Sequence, residues 1–473
     1  MKINTLLNLP VILFFLIFST LWFPLVDEAG QALNAGTIKK GADETSARFN
    51  PADYFTEEEM ETWKSYQQRK LWQHLISLGA FVSFYLFLIL TGFNRSIKNL
   101  ARKSTTWCYE NPGLSRIGTR LPLLKKIAKT PEILFGGQQG VTVIFYCLIF
   151  IFLLRMFFFP YSFYRSYYFE LQHGLSNYSL GLWFLDYIKG LITSTPAMAM
   201  MVFGIYGLIN RAGSKWWLFL WVSVSILAMG YTYLAPYKRH IYNRFESLEN
   251  GELRQKIESL MTEQGIPIDD ILVVDASKRS KRVNAYFEGV GNSQRIVLYD
   301  NLVDQFTPRE ISMILAHEAA HWKKPHKNLS YLLFSVTLFC ILGMANKILH
   351  WGTRIRRLHY SAPLDIAGLP VLLFTFFLMF QIIRPFNLYK TRINERDADR
   401  QAFEMVCDPQ AFIDMQVKLM RLNHLDINPH PLIVTLFYSH PPFMERVETA
   451  LKIDCEQGIQ YKIEKKNPLN LMD

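Results

Sequence analysis

The sequence predicts a mostly α-helical, polytopic membrane protein that carries a small soluble α+β segment. Three observations lead there. Seven predominantly apolar stretches are each about 20 residues long, enough to cross a hydrocarbon core. The loops between them alternate in charge. A polar segment between the fifth and sixth spans, and another after the seventh, have the periodicities of soluble structure. Half of the 473 residues are hydrophobic and 15% are aromatic, yet 19% are charged, so polar and apolar matter is segregated along the chain in blocks.

The expected spans are 6–26, 71–93, 141–159, 188–209, 216–235, 329–349 and 364–383. The first follows Met1-Lys2, but its apolar run outlasts a secretory h-region and contains Trp22 and two prolines, so it reads as an uncleaved anchor. Pro196 and Pro370 fall in the fourth and seventh spans, where neighbouring helices can satisfy the freed backbone groups. Arg155 lies near the end of the third span and is placed to snorkel toward the interface.

The net charge of +11 does not point to nucleic acid, because the basic residues gather in particular loops. Residues 94–140 hold nine Lys or Arg against two acids; 210–215 carry Arg211 and Lys215, and 350–363 carry Arg354, Arg356 and Arg357, with no acid in either. Residues 27–70, by contrast, have six basic and nine acidic residues. Loops two, four and six are therefore the basic ones and face the cytoplasm by the positive-inside rule. The long segment 236–328 and the tail 384–473 then lie on the extracytoplasmic side. This divides the chain into a five-span membrane region (1–235), a soluble α+β segment (236–328), two further spans (329–383) and a C-terminal segment (384–473). Of the five cysteines, Cys147 and Cys340 sit in spans as packing residues, and Cys407 and Cys455 can pair if their side is oxidising.

Within 236–328, "GELRQKIESLMTEQ" (251–264) has helical spacing, and "ILVVDAS" (271–277) and "RIVLYD" (295–300) read as strands. "VNAYFEGVGN" (283–292) suggests a third strand followed by a turn. "TPRE" opens a helix, with Thr307 as N-cap, Pro308 at the first position and Glu310 completing a capping box. A further helix is expected around "TEEEMETWKSYQQRK" in the first polar loop.

The helix that begins at Thr307 contains "LAHEAAHW" (315–322). His317 and His321, four residues apart, leave one helix face and can reach one metal ion. Glu318 stands beside that face, where it can take a proton from an activated water. This is the HExxH arrangement of zinc hydrolases. A third ligand is expected from "NERDADRQA" (394–402): Glu395 can bind the metal, and Asp399, one turn on, can accept the second ring N–H of a ligand histidine. Asp397 points elsewhere, and His326, beyond Pro325, reads as a surface residue. A transporter or channel with a structural zinc is a different class of reading. Structural sites, however, are usually closed by four ligands and rich in Cys.

From about residue 140 onward the chain resembles the CAAX prenyl endopeptidases, membrane zinc proteases of the gluzincin class. The resemblance rests on "ELQHG" (170–174), "VNAYFEGVGNSQRIVLYDNL" (283–302), "LAHEAAHW", "NERDADRQA" and "LFYSHPPFMER" (436–446), in that order. It implies seven helices enclosing a chamber and one Zn2+ per chain on His317, His321 and Glu395. It further implies Glu318 as general base, Asp399 behind a ligand histidine, and His440 and Arg446 as further catalytic residues. Asn284, Ala285 and Tyr286 are implied to belong to an edge strand that aligns the substrate backbone. The implied partners are a peptide or protein substrate, with or without a lipid group, and the membrane lipid. The chain departs from the eukaryotic pattern in having no long insertion before the HExxH helix and in the sidedness of its loops. Quality-control cleavage of non-prenylated envelope proteins is therefore the alternative within proteolysis.

Overall fold

The computed structural model describes residues 49–110, 138–239, 243–290, 293–323 and 327–453. The expected span 6–26, His326 and Cys455 lie outside the described residues. Helix α1 (Glu57–Leu90) opens with a capping box: Thr56 Oγ1 accepts from the Glu59 N–H at 3.2 Å, and the Glu59 carboxylate accepts from the Thr56 N–H at 2.9 Å. The polar stretch expected as a separate helix and the apolar run after it form one helix, because no Gly or Pro interrupts residues 57–78. Helix α2 (Phe93–Glu110) falls within the basic second loop. It buries Asn94, Ile97, Ala101 and Thr105 along one face and packs on α3 (Gln138–Phe163).

A π-helical turn (Tyr164–Tyr168) and a short helical turn (Phe169–Gln172) extend α3. Helices α4 (Leu180–Ala212) and α5 (Trp216–Arg239) meet at Gly213, whose φ of +52° is cheap only for glycine. Five stretches are long and apolar enough to cross a membrane: Glu57–Leu90, Gln138–Gln172, Leu180–Ala228, Ser330–Gly352 and Ile366–Met405. The expected spans 188–209 and 216–235 share the third of these, broken at Gly213. Their common core includes Tyr146, Phe150, Tyr206, Trp216 and Trp217. The Trp216 indole N–H donates to Asn346 Oδ1 at 2.7 Å, a polar tie between helices in apolar surroundings.

The soluble part is built on a four-stranded sheet of β1 (Phe245–Ser247), β2 (Asp270–Val274), β3 (Ala285–Val290) and β4 (Ser293–Tyr299), in the order β1-β2-β4-β3. The β2/β4 pair is parallel and the other two are antiparallel, which leaves β3 at an edge. The three-residue β1 has too little alternation to be legible in the sequence. Helices α6 (Glu252–Glu263), α7 (Asp300–Gln305) and α8 (Pro308–Lys323) surround the sheet. Chain then passes through α9 (Lys327–Gly352) and α10 (Leu369–Met405) to α11 (Pro409–Asn423), α12 (Pro431–Phe437) and α13 (Phe443–Lys452). One core joins Ile257, Ile296, Leu315, Phe412 and Val447 to the N-terminal aromatics Phe49, Tyr54 and Phe55. Cys407 is disulfide-bonded, whereas Cys108, Cys147 and Cys340 are free.

The start of α8 fixes where its histidines fall. Glu310, 3% exposed, accepts from the Thr307 N–H at 2.7 Å and from Lys418 Nζ at 2.9 Å, so the capping box is also tied to α11. Glu310→Ala leaves the Thr307 N–H without its acceptor and Lys418 with only the Gln305 carbonyl at 3.0 Å, and is expected to cost about 1–3 kcal/mol. The measurement is the thermal melt of the solubilised protein by circular dichroism, and Glu310→Gln should recover part of the loss.

Candidate metal centre

Helix α8 packs along the polar end of α10. Both helices carry fully buried alanines: Ala316, Ala319 and Ala320 on α8, Ala398 and Ala402 on α10, all 0% exposed. Small side chains let helix axes approach closely, and this brings three donors from distant parts of the sequence together. His317 Nε2 lies 3.2 Å from His321 Nε2 and 3.1 Å from Glu395 Oε2, and His321 Nε2 lies 3.3 Å from Glu395 Oε1. A tetrahedral ion with bonds of about 2.0–2.2 Å sets its donors roughly 3.3–3.6 Å apart. The donor set therefore fits a first-row divalent metal with little movement. The three ligand atoms all lie within 4.8 Å of one another.

Behind the donors, Asp399 sits one turn beyond Glu395. Its Oδ1 is 2.9 Å from His317 Nδ1, the contact that orients a ligand imidazole and fixes which nitrogen faces the metal. Arg446, from α13, does not face the donors. It grips Asp399 with two bonds, Nε to Oδ2 at 2.8 Å and Nη2 to Oδ1 at 2.6 Å. Its guanidinium lies 5.5 Å over the Phe412 ring, and Gln416, with its amide oxygen turned inward, accepts from both terminal nitrogens at 3.1 Å. Asp397 points away toward Arg400.

Glu318 is partly buried and lies in the field of His317, His321 and Glu395. Burial raises its carboxyl above the usual range and Glu395 adds to this, while the two histidines oppose it. Such a shift suits a group that must pick up and release a proton. Burial alone would depress His317, but Asp399 and Glu395 outweigh it and push the imidazole up to about 9. A metal arriving at neutral pH must therefore displace a proton.

His440 reaches the same place from the turn between α12 and α13. Its Nε2 is 3.4 Å from Glu395 Oε2, its Nδ1 is 2.9 Å from Ser439 Oγ, and its side chain is 57% exposed. It is not among the three residues whose donors close on one point. The turn is held by Arg392, fully buried on α10, which donates to the Val434 carbonyl at 3.0 Å and the Tyr438 carbonyl at 2.8 Å. Arg392 escaped the sequence reading, although Arg392, Glu395 and Asp399 follow the i, i+3, i+7 spacing of one helix face. Gln416 and Phe412 gave no comparable signal. Asn284 is exposed just before edge strand β3, and its carbonyl accepts from the Tyr299 N–H at 3.0 Å. Ala285 is turned into the core and Tyr286 packs beside Val274 and Val297.

Helices long enough to span a bilayer, joined to a compact centre of two histidines and two carboxylates, define a membrane-bound metalloenzyme. Residues 247–454 match the model of peptidase family M48, and residues 46–238 match that of the CAAX prenyl protease N-terminal region with five membrane helices. The chain is 31% identical over 324 residues to CAAX prenyl protease 1 of Saccharomyces cerevisiae, covering 63% of this chain and 69% of that one. It is 30% identical over 290 residues to the uncharacterized metalloprotease YhfN of Bacillus subtilis, covering 60% and 67%. The crystal structure of S. mikatae Ste24p shares the fold, with a TM-score of 0.69 at 22% identity over 93% of this chain and 98% of that one. The chain belongs to peptidase family M48, with the CAAX prenyl proteases, and is a multi-pass membrane metalloprotease.

Lysine cannot reproduce the two-bond grip of Arg446 on Asp399. Arg446→Lys is expected to leave the fold intact and weaken metal affinity about tenfold, read by competition with a chelating dye.

Proposed function

We propose that this protein is a zinc endopeptidase of membrane-associated proteins, with zinc held by His317, His321 and Glu395. The observation that carries the reading is the 3.1–3.3 Å spacing of those donors with Glu318 next to His317 in the chain. Bound there, zinc supplies Lewis acidity, polarising a scissile carbonyl and lowering the pKa of water from about 15.7 to near 7. Glu318 takes the proton of the attacking water and passes it to the leaving amine. His440 donates a hydrogen bond to the carbonyl oxygen as negative charge develops, a contribution of about 3 kcal/mol. Asp399 holds the His317 ring, and Arg446 acts through Asp399 as a positioning residue. The substrate lies extended along β3 beside Asn284, Ala285 and Tyr286, where main-chain pairing accepts many sequences.

The substrate class that best matches the relatives is a CAAX-type protein bearing a prenyl group, as the name of the yeast relative states for that protein. Sidedness favours a second reading. The charge of the loops favours a site opposite the cytoplasm, and the disulfide at Cys407 suits an oxidising compartment. On that side, clipping of exported or membrane proteins without a lipid group is the natural task.

Glu318→Gln is expected to keep one zinc per chain by atomic emission while peptide cleavage falls about 10²–10⁴-fold; cleavage at the wild-type rate would remove Glu318 from the mechanism. Sidedness is tested by Gln255→Cys on exposed α6. An impermeant maleimide should label it in intact cells and reach Cys108 on α2 only after permeabilisation. The reverse order would place the site in the cytoplasm.

A further inference from the structure

A cavity of about 840 Å³ lies among α1, α3, α4 and α10 and is bounded by the loop 279–282. The volume is in the range of about 300–1,000 Å³ typical of small-ligand sites. Its lining is divided along the helices. At one level Phe81 meets Phe377 at 4.2 Å and Phe158 at 5.8 Å between ring centres, and Leu78 and Leu154 complete an apolar wall. Toward the soluble side the lining turns basic, with Lys70, Arg165, Arg279 and Arg282, and Arg155 stands deeper. Arg155 was expected to snorkel; it instead points inward and donates to Ser194 Oγ at 3.0 Å.

Two of these five cations are matched by acids and three are not, among the described residues. Arg282 is paired with Glu170 at 2.8 Å and Arg279 with Asp186 at 2.6 Å. Among the described residues, Lys70, Arg155 and Arg165 form no carboxylate pair; Lys70 stands 5.7 Å over the Tyr66 ring, and Arg165 bonds the Tyr161 hydroxyl at 3.1 Å. Lys70 lies in the field of Arg282 and Arg165, opposed by that of Glu170, a lining carboxylate that is itself engaged by Arg282 and the Tyr66 hydroxyl. A second, independent observation comes from neutral groups. Gln73, 8% exposed and lining the cavity, has no protein partner for either amide atom, and the Arg282 Nε–H is also buried without one. Unsatisfied buried polar atoms beside uncompensated cations are costly unless an anionic acceptor joins them.

We propose that this cavity binds one phosphate-headed lipid, its head group among Lys70, Gln73, Arg165 and Arg282 and one acyl chain along Phe81, Phe158 and Phe377. A phosphate offers several charged acceptor oxygens to these donors. The apolar level is walled by rings and aliphatic side chains, so a hydrocarbon chain fits it at no hydrogen-bonding cost, whereas a peptide backbone there would lose its partners. Basic pockets between membrane helices are the usual form of such sites.

The test uses the full-length protein in nanodiscs and native mass spectrometry. Phosphatidylglycerol should be retained at one molecule per chain with at least tenfold preference over phosphatidylcholine. The Lys70→Gln/Arg165→Gln double variant should lose that retention at least tenfold, with its melting temperature unchanged. Glycerol phosphate, the head group without a chain, should not displace the lipid at equal concentration. Equal retention of the two lipids, an unaffected double variant, or displacement by glycerol phosphate or by a peptide with a free C-terminal carboxylate would each overturn the proposal. Should the double variant fail to fold, the wild-type melt decides: a rise with phosphatidylglycerol alone supports the site, and equal rises with both lipids overturn it.

Discussion

Three side chains whose donor atoms approach to 3.1–3.3 Å form an arrangement that side chains do not adopt unaided. Lone pairs at that distance repel unless a proton or a cation lies between them. The arrangement is imposed from outside, by fully buried alanines on α8 and α10 that let two helices approach, and by a capping box that sets where α8 begins. Asp399 and Glu395 favour a protonated His317 against the opposing effect of burial, and a proton there relieves the repulsion. The fold therefore brings the ligands together, and a metal binding there would compete with that proton.

Support for the donors comes from one face of α10 and reaches three other helices. Glu395 supplies the donor, Asp399 steers His317, and Arg392 anchors the turn that carries His440. Asp399 is in turn held by Arg446 of α13 and, through it, by Gln416 of α11. Asp399 is paired with Arg446, which has further partners in Gln416 and the Phe412 ring, the kind of pairing under which buried ions are tolerated.

The parts of this design that obey a short-range period were legible in the sequence. Residues His317 and His321, and Glu395 and Asp399, each declare a shared helix face, and Thr307-Pro308-Glu310 marks a helix start; all three readings correspond to what α8 and α10 display. Hydropathy gave the long apolar segments, but not the joining of α1 across its polar and apolar halves or the amphipathic α2 inside a basic loop. The three-residue β1 was too short for any pattern. Arg446 was placed at the site by resemblance, yet its partner depends on how α13 packs against α10, a long-range contact that no local spacing encodes. Arg155 was misjudged for the same reason: whether an intramembrane arginine reaches for the interface or turns inward depends on the neighbours of its helix.

Helix α10 joins these themes, because it runs as one helix from Leu369 to Met405, with Pro385 inside it. Phe377 and Gln381 of this helix line the interior cavity, and Arg384 lies 3.1 Å from His74 of α1. Arg392, Glu395 and Asp399 follow on the same helix. Gln381 and Glu395 are separated by about 21 Å at 1.5 Å per residue, with no loop between them and with Pro385 as the one break in the hydrogen-bond ladder expected there. A continuous helix with one end among membrane helices and the other in the donor cluster links the two, and Pro385 is the point at which it can bend. The spacing of the donors is thus tied to how the membrane helices pack, which is a physical reason for a hydrolytic centre to be built onto a membrane helix instead of tethered to it by a flexible linker.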